Sequence, residues 1–319
     1  VETLHLDVMD FVSSTFRKIY IDTYIKLVAR FPTAWGMIYK LTDHAEPDKL
    51  MQKLRRIVER LNARALKKAI AAFAPDAVIC THFLPAEILM HEINKGNFTV
   101  PVWVQVTDFD LHHMWVMPHI QGYFVASDEV AFRLQQNGIA DKQIHVTGIP
   151  IMPAFAHKQD KEVCRNTYGL SSSKPVLLLM GGGAGLGGLD EVACQLLQLP
   201  EVDFQLMVLA GKNEKVLNDL HKIAEAYPER LFSLGFTQKV EEVMACADLI
   251  ITKPGGLTNS ECMAMGLPMI VHAPIPGQEE HNADYLLEQG VALKAIDQTG
   301  LYYRGRYLMN TPDNRTDIF

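Results

Sequence analysis

The α/β character of this chain is clearest in residues 247–283, which read ADLIITKPGGLTNSECMAMGLPMIVHAPIPGQEEHNA. The apolar runs 249–251 and 269–271 predict two buried strands, and the residues between them predict a helix that begins near Leu257. Gly266, with a proline two residues later, is typical of a helix C-terminus. The segment therefore predicts a strand–turn–helix–strand unit of a parallel sheet.

The turn Pro254-Gly255-Gly256 joins the first of these strands to the helix. Glycines let the backbone approach a ligand closely, and the N–H groups of a helix N-terminus attract anions. With Lys253 beside it the turn is suited to a phosphate, and Glu261, one turn further on, is suited to the hydroxyls of a sugar. Three polar residues at the start of the next helix are suited to the same role: Gln278, Glu279 and Asn282. Spacing alone supports equally a plain βαβ unit with a glycine turn and a solvated polar loop.

Composition limits the class of protein. The 319 residues are enough for two domains of about 150 residues each, and 48% hydrophobic with 21% charged residues is typical of a globular protein. The net charge of −7 argues against nucleic acid as a partner. Five cysteines without a C-x-x-C pair indicate a reducing cytoplasm rather than disulfides or zinc. No apolar run reaches the length of a membrane span.

Predicted strands and helices alternate along both halves of the sequence. In the first half the predicted strands are residues 1–8, 76–80, 100–106, 122–126 and 144–146. In the second half they are residues 176–180, 204–210, 230–234, 248–252 and 269–272. This alternation predicts parallel sheets whose two faces are both covered by helices.

Two doubly wound domains are therefore expected, at residues 1–150 and 176–297. A polar, proline-containing linker is predicted at residues 151–175. Residues 298–319 show no helical period and are expected to form an atypical tail. Two domains of this kind are expected to face each other across a cleft at the carboxyl ends of their strands, where ligands bind.

A second glycine-rich turn, GGGAGLGG at residues 181–188, follows the strand 176–180 and precedes a helix. It satisfies the pattern G-x-G-x-x-G, so a dinucleotide site has to be considered. Such a site needs an acidic residue after the next strand, and that strand here ends in AGKN at residues 210–213. Two glycine-rich turns in one domain favour instead a nucleotide diphosphate that carries a sugar.

These motifs together resemble the inverting GT-B glycosyltransferases of the monogalactosyldiacylglycerol synthase and processive diacylglycerol glucosyltransferase family. The second half contributes GGGAGLGG, TKPGGLTNSE and PGQEEHNA. The first half contributes TDFDLHHMW at 107–115, YFVAS at 123–127 and VTGIPIMPAF at 146–155. The resemblance covers about residues 1–297. The GlcNAc transferase that makes the peptidoglycan lipid intermediate is a more distant relative.

The resemblance implies two Rossmann-like GT-B domains, with the acceptor bound by residues 1–150 and the UDP-sugar by residues 176–297. It also implies transfer of galactose or glucose from the UDP-hexose to diacylglycerol, with inversion and without a metal or other cofactor. The resemblance also implies which residues bind the donor. Seven residues would surround the phosphates: Gly182, Gly183, Gly185, Lys253, Gly255, Gly256 and Thr258. Gly235 and Phe236 would bind uracil, Glu261 would bind ribose, and Gln278 and Glu279, supported by Asn282, would bind the hexose.

The catalytic base is where the sequence departs from the family. The family's base histidine lies on a glycine-rich turn that would precede Val1, so the first βα unit is expected to be missing. Asp108 and His112 of the TDFDLHHMW motif are the remaining candidates, although a lone histidine is more often structural. The DFD at 108–110 also has the spelling of a metal motif, but we interpret it as part of the family motif.

Two alternatives to the diacylglycerol transferase stay open at this point. One is a related UDP-sugar transferase that acts on a polyprenyl-linked lipid acceptor. The other is a truncated, inactive homologue that binds UDP-sugar or lipid without chemistry.

Two segments bear on a membrane. Residues 49–68 place eight basic residues and one acid around an apolar stripe, which predicts either contact with an anionic lipid surface or an ordinary helix with a solvated basic face. Five apolar residues upstream are suited either to an interfacial anchor or to a core: Phe31, Trp35, Met37, Ile38 and Tyr39. The lipid-facing alternatives predict a cytoplasmic, peripheral membrane protein.

Overall fold

A computed structural model of the chain describes residues 1–14, 17–18, 23, 27–28, 31–44, 63–181, 188–198 and 203–310. The chain divides into two compact units. The first comprises Val1–Ile149 with Pro276–Gln278, and the second comprises Pro150–Ile275 with Glu279–Phe319. Each unit contains a parallel β-sheet, which confirms the predicted α/β class.

The sheet of the first unit has four strands in the order β1-β2-β3-β4. Their bounds are β1 Val78–Cys80, β2 Val102–Gln105, β3 Gly122–Val125 and β4 Ile144–Val146. The described helices are α1 Pro32–His44, α2 Ala63–Phe73, α3 Phe83–Asn94 and α4 Asp128–Gln136, with short 3-10 helices at Val8–Phe11, His113–Trp115 and Asp141–Gln143. The strands predicted between residues 76 and 146 are confirmed, with bounds that are equal or shorter.

Residues 1–8 do not form a strand, so this prediction is wrong. Residues 1–7 have no regular structure, and Asp7 starts a 3-10 helix by accepting a hydrogen bond from the Met9 N–H at 2.8 Å. Leu6 and Val8 are half-buried against the core of this unit, and no strand of the described sheet pairs with the segment. The alternating apolar residues therefore reflect the packing of an irregular segment.

The helices of the first unit cover one face of its sheet. One buried cluster joins alternate strand residues to α2, α3 and α4: Cys80, Val102, Val104, Tyr123, Val125, Leu66, Ile70, Leu84, Leu89, Val130 and Leu134. The other face carries Ile79, which is 59% exposed, and the stacked rings of Trp103 and Phe124, whose centroids lie 5.1 Å apart. The described residues of this unit show helices on one face of the sheet, and cover of the other face stays a prediction.

The sheet of the second unit has six strands in the order β10-β9-β8-β5-β6-β7. Their bounds are β5 Val176–Met180, β6 Gln205–Leu209, β7 Leu231–Leu234, β8 Leu249–Thr252, β9 Met269–His272 and β10 Ala292–Ala295. The sequence predicts β5 to β9 but not β10. The run ALKA of β10 is short, contains a lysine and lacks the β-branched residues that mark a strand.

Helices cover both faces of this second sheet. The described helices are α5 Pro153–Ala156, α6 Lys161–Thr167, α7 Leu189–Leu197, α8 Glu214–Ala226, α9 Val240–Cys246, α10 Gly256–Met265, α11 Gln278–Glu288, whose first residue groups with the first unit, and α12 Gln298–Asn310. One buried cluster joins Leu177 and Leu206 to α7, α8 and α12. Another joins Leu178 and Met207 to α5, α6, α9, α10 and α11, so this sheet is doubly wound as predicted.

The predicted linker, residues 151–175, packs into the second unit. The Asp248 carboxylate accepts hydrogen bonds from Lys161 Nζ at 2.6 Å and from Arg165 Nη2 at 2.7 Å. The same carboxylate accepts a bond from the backbone N–H of Val176 at 2.7 Å. These bonds tie α6 to the start of β5 and to the residue that precedes β8.

The prediction that residues 298–319 have no helical period is wrong for Gln298–Asn310, which form α12. Leu301, Leu308 and Met309 of this helix are buried in the second unit's core. Their spacing of seven and eight residues places them on one side of the helix. Two glycines, which are weak helix formers, conceal this pattern in the sequence.

Candidate functional site

The order of strands in the second sheet changes direction between β5 and β8. From β5 the chain proceeds outward through β6 and β7 and then returns to β8 on the other side, where Met180 is level with Thr252. In open α/β sheets, ligands bind at the carboxyl ends of the strands beside such a switch point. Both glycine-rich turns of the sequence follow these two strands. The fold therefore brings the starting points of the two turns to neighbouring strand ends.

The turn after β8 leaves the N-terminus of α10 open. Gly255 is the N-cap residue and offers no side chain to the first N–H groups, and Gly256 and Thr258 lie in the first turn. Among the described residues, a Cβ placed on Gly255 would meet no atom within 4 Å, so they leave space beside it. Lys253 stands half-buried at the start of the turn. Helix N–H groups, the helix dipole and the lysine together are able to hold an anion such as a diphosphate.

Glu261 lies in α10, one turn beyond this N-terminus, and is 9% exposed. Burial, and after it the charge of Glu241 on α9, raise the pKa of the Glu261 carboxyl to about 7. A buried carboxyl that titrates near neutrality is a frequent sign of a functional site. Its position is compatible with the ribose-binding role that the resemblance implies.

The strand ends of β6 and β7 carry a cation and an aromatic ring. Phe236 follows Gly235 just after β7 and is 58% exposed. Lys212 follows β6, and its Nζ lies 4.9 Å from the centre of the Phe236 ring. An exposed ring with a nearby cation is suited to a planar base. No sequence motif marks Lys212, which lies three residues after the end of β6.

Two residues that were predicted for different roles meet in the first unit. Gln278 Nε2 donates a hydrogen bond to Asp108 Oδ1 at 2.7 Å, and Asp108 is 7% exposed. Spacing in the sequence does not predict this pair, because 170 positions separate the two residues. The Gln278 amide, predicted to contact the hexose, is thus oriented by the carboxylate that is predicted as a base candidate.

The turn before Gln278 packs on α1. Gly277 has a φ of 91°, and a Cβ at this position would lie 2.5 Å from Cδ1 of Tyr39. Only glycine fits there, since both the backbone conformation and the space exclude a side chain. Tyr39 is 8% exposed, so for this residue the core alternative is confirmed.

Apolar side chains of α1 and of the residue before it are exposed. Phe31, Met37 and Ile38 are 62%, 64% and 43% exposed, and Trp35 is half-buried. Leu41, one turn beyond Met37, is 69% exposed. Met37, Ile38 and Leu41 share one side of the helix, which therefore presents an apolar surface. Among the described helices, none is long and apolar enough to cross a membrane.

The two other residues predicted near the hexose lie at the start of α11. Glu279 Oε2 accepts a hydrogen bond from the Ile275 N–H at 2.6 Å, and Asn282 is fully buried. The Glu279 side chain therefore stabilises the turn before α11. Direct contact between Glu279 and the hexose stays a prediction, as does the supporting role of Asn282.

His112 is buried beside α1, at the start of a 3-10 helix. Burial lowers its pKa and keeps the ring neutral, and Nδ1 accepts a hydrogen bond from the Met114 N–H at 3.1 Å. The ring proton is therefore on Nε2, which lies 3.2 Å from the Tyr39 carbonyl and 3.1 Å from Thr42 Oγ1. Nδ1 thus caps the 3-10 helix, Nε2 contacts α1, and a role for His112 as a base stays a prediction.

Some predicted residues lie outside the described part of the chain, namely Gly182, Gly183, Gly185 and residues 49–62 of the basic segment. The rest of that segment belongs to α2. There Leu66 is buried, Lys67 forms an ion pair with Glu92 of α3, and Arg64 is exposed. This arrangement agrees with both alternatives for the segment, because each requires a buried apolar stripe and exposed basic residues.

Two family models match the chain. Residues 1–151 match the family described as monogalactosyldiacylglycerol (MGDG) synthase, and residues 176–301 match the glycosyltransferase family 28 C-terminal domain. The chain thus resembles MGDG synthases in its first half and family 28 glycosyltransferases in its second half. The resemblance seen in the sequence motifs is thereby confirmed, in both halves of the chain.

Curated relatives carry the name processive diacylglycerol β-glucosyltransferase. The protein of Bacillus pumilus is 35% identical over 247 residues, which cover 77% of this chain and 64% of the relative. The protein of Bacillus licheniformis is 34% identical over 247 residues, with the same two shares. The chain thus spans just under two thirds of the length of these relatives.

Solved structures share the fold. Staphylococcus aureus MnaA with UDP has a TM-score of 0.63 at 16% identity, over 83% of this chain and 75% of that one. Acinetobacter baumannii MurG has a TM-score of 0.54 at 16% identity, over 81% and 72%. At this identity the likeness shows the fold alone, and it confirms the predicted GT-B class with two parallel-sheet domains.

Proposed function

We propose that this protein transfers a hexose from a UDP-sugar to the hydroxyl of diacylglycerol, with inversion, and makes a glycolipid at a membrane surface. The matches to the two glycosyltransferase family models and the names of the relatives support this activity. The observation that carries the proposal is the open N-terminus of α10 at the β5–β8 switch point, with Lys253 beside it and Glu261 buried one turn away.

The departure of UDP is the step that this site assists. As the bond between the anomeric carbon and the β-phosphate oxygen breaks, negative charge grows on the diphosphate. In the proposal, the N–H groups at the start of α10 and the Lys253 ammonium lie where that charge develops, so they lower the barrier without rearrangement. The acceptor hydroxyl attacks the opposite face of the anomeric carbon and gives its proton to a base, for which Asp108 and His112 are the candidates.

The remaining donor contacts fall on residues after β7, in α10 and at the start of α11. In the proposal, uracil lies at Gly235 and Phe236, the ribose hydroxyls bond to Glu261, and the hexose is contacted by Gln278 and Glu279. The exposed Phe236 ring and the raised pKa of Glu261 support the first two placements.

A lipid surface is proposed to bind the apolar side of α1. Met37, Ile38 and Leu41 are exposed on that side, and Arg64 of α2 is an exposed cation of the basic segment. Apolar side chains insert among acyl chains, and basic residues are attracted to anionic headgroups. Replacement of the three apolar residues by serine should reduce sedimentation with anionic vesicles. Val163→Ser, an exposed apolar residue of α6, is the matched control, and equal loss in both variants would contradict the assignment.

The transfer reaction is tested with labelled UDP-glucose and UDP-galactose and with diacylglycerol in vesicles. We expect labelled glycolipid, and we expect Lys253→Met to lower its rate by about a hundredfold, as for other losses of a transition-state donor. Lys222→Met, on the exposed side of α8, is the control. EDTA is expected to leave the rate unchanged, because the proposal uses no metal.

Three outcomes would contradict the proposal. Transfer to a polyprenyl phosphate in preference to diacylglycerol would mean that diacylglycerol is not the acceptor. Binding of UDP without any transfer by the protein would favour the binding-only alternative. An equal loss of rate in Lys253→Met and Lys222→Met would show that the N-terminus of α10 takes no part in the reaction.

A further inference from the structure

A fully buried side chain near the start of α10 has no hydrogen-bond partner. Asn259 is 0% exposed, and neither its Nδ2 nor its Oδ1 finds a partner in the structure as described. The adjacent Ser260 is buried as well, but its hydroxyl donates to the Gly256 carbonyl at 2.8 Å. An unpaired buried amide lowers stability, and native proteins rarely keep one without a reason. An aliphatic residue would fill the same space without this penalty.

The position of Asn259 in the first turns of α10 favours a side chain that leans toward the open N-terminus of the helix. The N–H of Asn259 donates to the Gly255 carbonyl at 3.0 Å, so this residue sits directly below the turn. Side chains of a helix lean toward its N-terminus, and here the preceding turn carries only the glycines 255 and 256 on that side. No side chain of the turn therefore stands between the amide and the space beside Gly255.

We propose that Asn259 is a donor-binding residue whose side-chain amide hydrogen-bonds the diphosphate of the bound UDP-sugar. Nδ2 donates to a phosphate oxygen, and Oδ1 accepts from a water or a hydroxyl that the ligand brings. The amide is thus unpaired in the free protein because its hydrogen-bond partner is the ligand. This inference rests on the proposed function, and it adds a neutral donor to the helix N–H groups and Lys253.

The test compares the affinities for UDP and for uridine, measured by calorimetry, in the unchanged protein and in Asn259→Leu. The leucine has a similar volume and no polar atoms. We expect UDP binding to weaken by roughly tenfold to a hundredfold, the range for a lost hydrogen bond to a charged group, while uridine binding is retained. We also expect the melting temperature of the ligand-free variant to be equal or higher, because an unpaired polar group has been removed.

Two further variants make the test decisive. Ser260→Ala loses the bond to Gly256 and is expected to melt earlier with an unchanged ratio of UDP to uridine affinity. Asn259→Asp keeps the shape of the side chain but turns the donor into an anion, so it should weaken UDP binding even if the leucine variant does not fold.

The inference is overturned if Asn259→Asp and Asn259→Leu bind UDP like the unchanged protein, or if UDP and uridine weaken by the same factor. A lower melting temperature with unchanged UDP affinity would assign the amide to the fold alone. If the unchanged protein fails to bind UDP, the proposed function itself is wrong, which is a different result.

Discussion

At the scale of single residues, Glu261 gives the site a dependence on pH. Its carboxyl has a pKa of about 7 in the free protein, and only the ionised form accepts hydrogen bonds from both ribose hydroxyls through two free oxygens. Affinity for UDP should therefore rise as pH increases through 7 and level off above it. Between pH 8 and pH 6 we expect a loss of roughly tenfold, because the ionised fraction falls to about a tenth.

Calorimetric titration with UDP across this range is the measurement. The phosphate of UDP also titrates near pH 6, so the control is Glu261→Gln, which keeps the phosphate titration and removes that of the carboxyl. The same pH profile in both proteins would mean that Glu261 does not contact the nucleotide.

Asp248 is the residue on which the start of the second sheet depends. Its burial opposes ionisation, but hydrogen bonds from Lys161 and from the Val176 N–H outweigh this effect and lower its pKa. Asp248→Asn should reduce the free energy of unfolding by about 3 kcal/mol, since it leaves the buried Arg165 guanidinium without its counter-ion. Urea unfolding followed by circular dichroism measures the loss.

The matched control is Asp203→Asn, because Asp203 is 70% exposed and its pair with Lys174 is worth about 0.5 kcal/mol. Because the pKa of Asp248 is lowered in the folded protein, its contribution to the free energy of unfolding is fully present above the ordinary carboxyl range. This contribution is lost as pH falls through the folded-state pKa. The difference between the two variants should therefore shrink below about pH 4. An undiminished difference at pH 3 would point to packing instead of charge.

At the scale of elements, the sequence predicts those helices and strands whose local signals agree. α10 ends where Gly266 predicts: this residue has a φ of 62°, and its N–H bonds the carbonyls of Cys262 and Met263. β10 and α12 are missed because their residues carry weak propensities and are fixed by packing on the rest of the sheet. The strand predicted at residues 1–8 fails for the converse reason, since alternation without a pairing partner does not make a strand.

The packing of α12 is testable by the loss of one buried side chain. Leu308 is fully buried in the core of the second unit, whereas its neighbour Tyr307 is 46% exposed. Leu308→Ala should lower the free energy of unfolding by about 2–5 kcal/mol, the usual result of a cavity in a core. Tyr307→Ala should change it by only about 0.5 kcal/mol. Similar values for the two variants would show that this helix does not pack as described.

At the scale of the whole molecule, the class of fold follows from the sequence, but the site follows only in part. The alternation of strands and helices predicts the two parallel sheets, whereas the switch point between β5 and β8 is known only from the strand order. The pairing of Gln278 with Asp108, and the unpaired amide of Asn259, depend on tertiary packing that no local pattern encodes. In the described residues one face of the first sheet is exposed, and the alternation of strands and helices along the sequence does not predict this exposure.

The proposed reaction depends most on where the nucleotide binds. The most direct measurement is a crystal structure of the protein with UDP. We expect the diphosphate within hydrogen-bond distance of the first N–H groups of α10, with the ribose at Glu261 and uracil beside Phe236. A nucleotide bound away from the β5–β8 switch point, with the N-terminus of α10 empty, would contradict the proposed site and with it the proposed reaction.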